Sequence, residues 1–486
     1  MRSIDRRDFL HDSAIMAALA GVGLTSEASA AEKAVAAVKK GQVNDQLRVA
    51  VIGVNGRGMS HIDGFAGNNR LNTVVTTVCD ADEGVIGRAM KSIEKKQGKA
   101  PKFEQDIRKV VEAKDIDIIS IATPNHWHAL AAIWAMQNGK DVYVEKPVSH
   151  NVSEGRRIVE VARKTNRICQ AGTQSRSSKG LQDAMKFLHD GKLGKIKVAR
   201  GLCYKPRGSI GKVTEAQPIP KSCDYDLWCG PAPKAPLMRK RLHYDWHWVW
   251  DTGNGDLGNQ GIHEMDKARW GLNKHELAKG VVSVGGRFGY VDDGQTANTQ
   301  ICVFDYGDCE LIFEVRGLLT KDFLGAKVGN IWYGTDGYMV GTNYRSATAF
   351  TPKGEVIRKF DGGGDHFANF IQAVRNRKNE DLNGEILEGH LSSALCHLGN
   401  ISYRLGDEKP FGQAPQAFAK DKDAGETFER MEKHLKDNKI DVEEVKCRVG
   451  RKLTLDPATE RFIDDKDANA MLTREYRKGF EVPAKV

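Results

Sequence analysis

Three groups of residues in this chain have the types and spacing to do chemistry. The first is Val49-Ala50-Val51-Ile52-Gly53-Val54-Asn55-Gly56-Arg57-Gly58, an apolar run that enters a glycine turn. Glycines there let the backbone approach a pyrophosphate, and a helix starting at the turn offers free N–H groups and a favourable dipole. Asp80 stands 22 residues past Gly58, at the end of the next apolar run. A carboxylate there accepts hydrogen bonds from ribose hydroxyls and repels a 2′-phosphate, which favours NAD over NADP. The second group is Glu145-Lys146-Pro147, closing another short apolar run. A partly desolvated lysine beside a bound nicotinamide has a lowered pKa and can join a proton relay or stabilise a developing alkoxide. The third is His263, with Asn259 one helical turn before it. Imidazole titrates in the range useful for exchanging a proton with a hydroxyl, whereas Asn259 can orient a group but carries no charge and takes up no proton.

These residues need a scaffold, and the pattern around them supplies one. Apolar, β-branched runs at 47–54, 73–79, 116–122, 141–144 and 168–171 alternate with helix-like stretches around 83–97, 104–113 and 126–138. Such alternation with short loops predicts a doubly wound parallel sheet, an α/β Rossmann domain over residues 46–170. From residue 172 the character changes. Longer strand-like runs at 195–204, 280–291, 299–315 and 326–340 have few helices between them and predict a mostly antiparallel α+β domain over 171–405. Helical patterns return at 366–377 and 389–405. Residues 406–486 read as a charged, loop-rich tail that packs on the domains, with a strand at 451–455.

Length and composition narrow the classes. The 486 residues exceed one ordinary domain, and the net charge of +9 is spread over a surface of mixed sign without basic runs interleaved with aromatics. This argues against a nucleic-acid partner. Nine cysteines without a Cys-x-x-Cys pair argue against a structural zinc site; Cys223 and Cys229 are near enough in sequence for a disulfide or two free thiols. Arg6-Arg7, a weakly apolar stretch at 13–24 and Ala28-Ser29-Ala30 resemble a twin-arginine signal peptide over 1–30, followed by a flexible leader over 31–45. That predicts export to the periplasm of a protein already folded with its cofactor, and no stable membrane insertion after processing.

Two further motifs complete the set. Ala122-Thr123-Pro124-Asn125-His126-Trp127-His128 follows a strand-like run, and Gly253 to Asp266 is a glycine-rich segment containing Asn259 and His263. With the glycine turn and Glu145-Lys146-Pro147, they resemble the glucose–fructose oxidoreductase / inositol dehydrogenase (Gfo/Idh/MocA) family, over about residues 46–405. The resemblance implies hydride transfer between a nicotinamide and a hydroxyl-bearing carbon of a sugar, polyol or glycoside. It also implies a homodimer or homotetramer formed through the C-terminal sheet. Cofactor contacts are then expected from Gly53, Asn55, Gly56, Arg57, Gly58, Asp80, Thr123, Pro124, Asn125, His128, Glu145 and Lys146. Catalysis is expected from Lys146 and His263 with Asn259. Many members have Asp where this chain has Asn259; Asp256, three residues earlier, is the candidate to compensate. Substrate contacts are expected from Gln174, Arg176, Trp246, His247 and His263. The aromatic run Trp246, His247, Trp248 and Trp250 suits either stacking on sugar rings or closing a core. No metal ligand set is expected. Two other functions fit the same motifs: a glycosidase that oxidises, eliminates, hydrates and re-reduces without net redox change, and a sugar-binding relative without catalysis.

Overall fold

Strand β1 (Leu47–Ile52) is apolar along its length, and its last four residues are fully enclosed. Burial on both faces is what a central parallel strand requires. In the computed structural model, which describes residues 45–67, 70–418 and 421–486, β1 pairs in parallel with β4 (Ile118–Ile121), β4 with β5 (Asp141–Val144), and β5 with β6 (Cys169–Ala171). On the other side lie β2 (Thr73–Cys79) and β3 (Lys102–Glu104), giving the order β3-β2-β1-β4-β5-β6. Strand order reverses between β1 and β4, and in doubly wound sheets ligands bind at that crevice. The signal peptide and leader expected at 1–45 fall outside the described residues, apart from Asp45.

The second sheet is centred on β7 (Ile196–Tyr204), which pairs in parallel with β10 (Glu310–Arg316) and antiparallel with β11 (Val328–Gly334). Beyond β10 come β9 (Thr299–Asp305) and β8 (Gly280–Gly286). Beyond β11 come β12 (Tyr338–Gly341), β13 (Ser346–Phe350) and β14 (Val356–Asp361). Period-2 alternation gives the sheet two apolar faces. Val281, Cys302, Phe304, Leu311 and Phe313 face a core built with helices Gly261–Gly271 and Ile386–Arg404. Val282, Val284, Ile301, Val303 and Ile312 face the opposite way and are covered by the tail.

Several elements differ from the sequence reading. The runs at 299–315 and 326–340 are hairpins, because Gly307 at φ +87° and the Gly334 N–H bond to the Gly337 carbonyl (2.9 Å) turn the chain inside each. Strands β3, β13 and β14 carry too few apolar residues to signal themselves. The tail is not loop-rich. It supplies helix Lys422–Asp437, whose Phe428, Met431 and Leu435 cover the outer sheet face, and strands Asp407–Pro410 and Lys446–Val449, which extend the sheet beyond β8. Cys223 and Cys229 are both free thiols. No helix among the described residues is long and apolar enough to cross a membrane.

Burial sets a pH dependence. His126, His366 and His397 are enclosed, and desolvation pulls their pKa values to about 3, 4 and 3. Unfolding returns each to about 6.5, so the unfolded chain binds more protons below that pH and stability falls as pH falls. Each such histidine removes about 1.4 kcal/mol per pH unit once the pH is well below 6.5. Denaturant midpoints measured from pH 7.5 to 5 should therefore fall steadily, before most carboxylates titrate. A flat profile across that window would contradict the buried neutral histidines.

Candidate active site

The crevice between β1 and β4 opens into a cleft of about 1100 Å³ that runs from the end of β2 to the second sheet. Its floor is the glycine turn. Gly53 adopts φ +81°, and a Cβ there would lie 2.6 Å from the Thr123 amide in the loop after β4. Gly58 opens helix α1 (Gly58–Phe65) and touches the Gly53 carbonyl so closely that a Cβ would sit 2.0 Å from it. Gly56 is different. Nothing lies within 4 Å of where its Cβ would project, and it lines the cleft. The turn thus packs through two glycines and leaves the third facing open space, the shape a pyrophosphate needs. Asp80 closes the same end. Its carboxylate accepts the Val54 N–H (2.9 Å) and the Asp82 N–H (3.1 Å). Burial raises its pKa against the pull of those amides.

Glu145 is the polar centre of the site. It is 3% exposed, and its Oε1 receives Arg57 Nε (2.7 Å) and Gln174 Nε2 (3.1 Å) and lies 3.2 Å from His61 Nε2. His61 Nδ1 in turn meets Ser120 Oγ on β4 at 2.7 Å. Burial alone would raise the Glu145 pKa. Arg57, His61 and Lys146 outweigh it and hold the carboxyl well below its ordinary range. The neighbouring Lys146 donates from Nζ to the Asn259 carbonyl (2.6 Å), which ties the end of β5 to the glycine-rich segment. Burial lowers the Lys146 pKa, opposed by Glu145 and assisted by Arg57. His128 joins the two cofactor motifs, with its ring nitrogens 2.8 Å from the Thr123 carbonyl and 2.6 Å from that of Pro147.

His263 sits on helix Gly261–Gly271 at the cleft wall, edge-on to Tyr344 with ring centroids 5.0 Å apart. Neither of its ring nitrogens makes a hydrogen bond among the described residues. Burial, then the charge of Lys146, hold its pKa well below 6.5, so it is a neutral imidazole able to accept a proton.

The expected cofactor residues Gly53, Asn55, Gly56, Arg57, Asp80, Thr123, Pro124, Asn125, His128, Glu145 and Lys146 line this one cleft, and so do Gln174, Trp246, His247, Asn259 and His263. Trp246 and His247 stack at 3.6 Å between centroids. Arg176 does not reach the cleft. Its guanidinium grips Asp266 (2.8 and 3.0 Å from Nε) and Glu388 (3.0 Å) in a buried ion network with Arg269. An interior arginine surrounded by carboxylates holds elements together, and this corrects the expected substrate contact. Asp256 does not stand in for the missing acid, because both its oxygens are held by Arg207 at 2.8 Å. Trp248 is buried beneath Arg207, and Trp250 lies under Arg404, away from the cleft. His61, Tyr344 and Arg345 were not singled out from sequence. Their neighbours in the site are distant in the chain, and no local motif marks them.

Fold and site together define a Rossmann-type oxidoreductase with a second, sheet-based domain. The family's two domain models, described as the NAD-binding Rossmann fold and the C-terminal alpha/beta domain of the oxidoreductase family, match residues 47–173 and 185–435. The chain belongs to the Gfo/Idh/MocA oxidoreductase family. Among curated relatives, the alpha-N-acetylgalactosaminidase of Shewanella oneidensis is 32% identical over 181 residues, covering 35% of this chain and 39% of that protein. A glycosyl hydrolase family 109 protein of Saccharopolyspora erythraea is 30% identical over 223 residues, covering 44% and 42%. The alignments thus span about two fifths of those relatives. Among solved structures, the WlbA dehydrogenase of Bordetella pertussis, in complex with NADH and UDP-GlcNAcA, superposes with a TM-score of 0.52 at 17% identity, over 72% of this chain and 94% of that one. An oxidoreductase of Erwinia carotovora atroseptica gives 0.55 at 15% identity, over 73% and 98%. These likenesses show the fold.

Two outcomes follow from this geometry. Gly56→Val should fold with an unchanged melting temperature yet weaken dinucleotide binding at least tenfold in a fluorescence titration, while Gly58→Val should fail to fold stably. Equal binding by Gly56→Val and wild type would remove the turn from the cofactor site. Arg176→Ala leaves the buried Asp266 with only Ser392 (2.7 Å) and the more distant Arg269 (3.8 Å), and should cost about 3 kcal/mol in a denaturant melt. A loss under 1 kcal/mol would mean that the network is not structural.

Proposed function

We propose that this chain is an NAD-dependent enzyme that oxidises a ring hydroxyl of a sugar, polyol or glycoside and keeps its cofactor bound between turnovers. The observation that carries this reading is the pairing of the Lys146 ammonium, anchored on the Asn259 carbonyl at 2.6 Å, with a neutral His263 in the same cleft. The bound dinucleotide supplies a hydride acceptor for the carbon that bears the hydroxyl. The protein must take that hydroxyl's proton and stabilise the oxygen as it leaves. His263 takes the proton at a free ring nitrogen, and Lys146 places positive charge beside the developing alkoxide. Burial lowers the Lys146 pKa, and Glu145 opposes that pull without cancelling it. Arg57 and His61 keep Glu145 itself ionised. The stacked Trp246–His247 pair offers a flat face to a sugar ring. Asp80, an acid at the end of β2 where the adenosine ribose would lie, favours NAD over NADP.

A second reading has its own support. Position 259 lacks the carboxylate usual for the family, and the curated relatives are named as glycosidases. An oxidised ring carbon acidifies its neighbouring C–H. Loss of that proton, departure of the aglycone, addition of water and return of the hydride give net hydrolysis with no change in redox state. His263 is placed to serve as the base in that sequence as well. The twin-arginine pattern at the start of the chain supports action in the periplasm. For assembly, we carry the homodimer or homotetramer as a proposal. The cluster built by helix Lys422–Asp437 reaches as far as Tyr333 on β11, so contact between copies through the second sheet would use β12 to β14.

One assay separates the readings. Purified protein is incubated with a panel of sugars and nitrophenyl glycosides while absorbance at the reduced-nicotinamide band and released nitrophenol are followed together. Aglycone release without net reduced cofactor establishes the hydrolase, and reduced cofactor without release establishes the dehydrogenase. Lys146→Ala should lose at least a thousandfold in kcat and retain its dinucleotide. Full activity in that variant would end the role given to Lys146.

A further inference from the structure

Between β7 and the glycine-rich segment lie 48 residues (205–252); the first of them bond to loops of the second sheet at Asp292, Asp293 and Gly317, and the rest leave it. They cross to the Rossmann domain and roof the end of the cleft where Asp80, Ala81, Gln105 and Ile107 lie. Pro220, Leu227, Trp228, Leu242 and His243 form that roof. It is a built layer with its own apolar centre of Trp228, Cys229, Leu237 and Leu242, packed on Ala81. Its edges are stitched to the loop after β2. The Asp224 N–H donates to the Ala81 carbonyl (2.8 Å), the Glu83 N–H to the Ser222 carbonyl (3.1 Å), and His243 Nε2 meets the Asp82 carboxylate at 2.7 Å. On the far side Trp127 Nε1 donates to the Leu227 carbonyl (2.9 Å). Gly230, at φ +47°, lets the roof backbone lie against the Trp127 ring, where a Cβ would come within 2.2 Å.

The last residues of the chain then pass over this layer. Arg477 Nη1 donates to the carbonyls of Asp226 (3.0 Å) and Gly230 (3.2 Å), and its other nitrogen pairs with the Asp226 carboxylate. Phe480 inserts beside Trp127 and Trp134, with centroids 5.7 and 6.3 Å away. Tyr476 Oη donates to Glu154 (3.1 Å), and the Leu472 carbonyl receives the Ser153 N–H (2.9 Å). These last residues are therefore tied to helices Asn125–Gln137 and Val152–Thr165 and to the covering layer itself.

We infer that residues 219–243 are a lid over the adenosine end of the dinucleotide cleft and that residues 472–482 are the strap that holds it shut, so that the cofactor leaves only when the strap lifts. The inference rests on the dinucleotide reading above and adds what governs its exchange. A dinucleotide enters a doubly wound sheet across the ends of the strands. Here that approach is covered by a packed layer, and Arg477 ties that layer down from outside through the Asp226 and Gly230 carbonyls and the Asp226 carboxylate. A captive cofactor must be returned to its starting redox state inside the same cleft, by a second substrate or by the same one.

The test uses the full-length protein. Bound dinucleotide is quantified by chromatography after acid denaturation, and exchange is timed by chasing with radiolabelled NAD. Wild type should retain its dinucleotide through gel filtration, and Arg477→Ala, Phe480→Ala and their double variant should exchange it at least tenfold faster. If the double variant does not fold, Arg477→Ala decides the matter alone, because its half-buried side chain hydrogen-bonds only to the lid. Exchange at the wild-type rate in a folded Arg477→Ala overturns the strap. Free exchange in wild type overturns the lid and leaves the dinucleotide reading standing. Wild type that neither carries nor binds a dinucleotide overturns that reading, and the lid with it.

Discussion

The buried carboxylate of Glu145 is the constraint on which the site depends. A carboxylate enclosed to 3% exposure pays a desolvation cost that only close positive charge and hydrogen bonds offset. Its partners come from four places in the chain: Arg57 at the glycine turn, His61 in α1, Lys146 after β5, and Gln174 beyond β6. Satisfying one ion therefore fixes the relative positions of the turn, the helix that follows it and the lysine-bearing loop. Removing the charge would loosen the cofactor floor and the Lys146 side chain together. The same ion decides the protonation of its neighbours. Without Glu145, burial and Arg57 would both drive Lys146 towards the neutral amine.

How far the sequence told this in advance depends on whether the information was local. Strands β2 and β5 occupy the residues expected, 73–79 and 141–144, because both are runs of β-branched and aromatic residues, the types a pleated, buried surface favours. The glycine turn was legible because steric demands fall on consecutive residues. The runs 299–315 and 326–340 do carry their turns in sequence, at Asp305 to Asp308 and at Gly334 to Gly337, and reading each as one strand gives those residues too little weight. Helix Lys422–Asp437 was missed for a different reason. Charged residues fill its exposed side, and its apolar stripe of Phe428, Met431 and Leu435 became meaningful only once there was an outer sheet face to cover.

The candidate site divides along the same line. Lys146 and His263 could be picked out because each stands within a motif, and the structure puts both in one cleft. Arg176 was misjudged because an arginine near a domain junction looks the same in sequence whether it faces a ligand or a carboxylate. What separates the two is Asp266, 90 residues on, and Glu388, 212 residues on. Nor could His61 be chosen. Its value lies in bridging Ser120 and Glu145, residues 59 and 84 positions away.

Asn259 shows how a departure from a family pattern can be absorbed. Its side-chain amide is 3.5 Å from Asp256, too far for a good hydrogen bond, and Asp256 is itself neutralised by Arg207. What the position contributes to the site is its backbone carbonyl, which takes the Lys146 ammonium at 2.6 Å. A carbonyl dipole orients a lysine as a carboxylate would but leaves its positive charge uncancelled. The cleft is consequently more positive beside the reacting oxygen than it would be with an acid at 259. Positive charge there stabilises an alkoxide or enolate and disfavours protonation of His263, whose pKa Lys146 already depresses. In the proposed reaction His263 would be the proton acceptor left in the cleft, and it would work against the Lys146 charge. For the two proposed reactions the demand on the site is the same: a neutral base opposite a positive charge would remove a proton from oxygen, or from a carbon made acidic by an adjacent carbonyl.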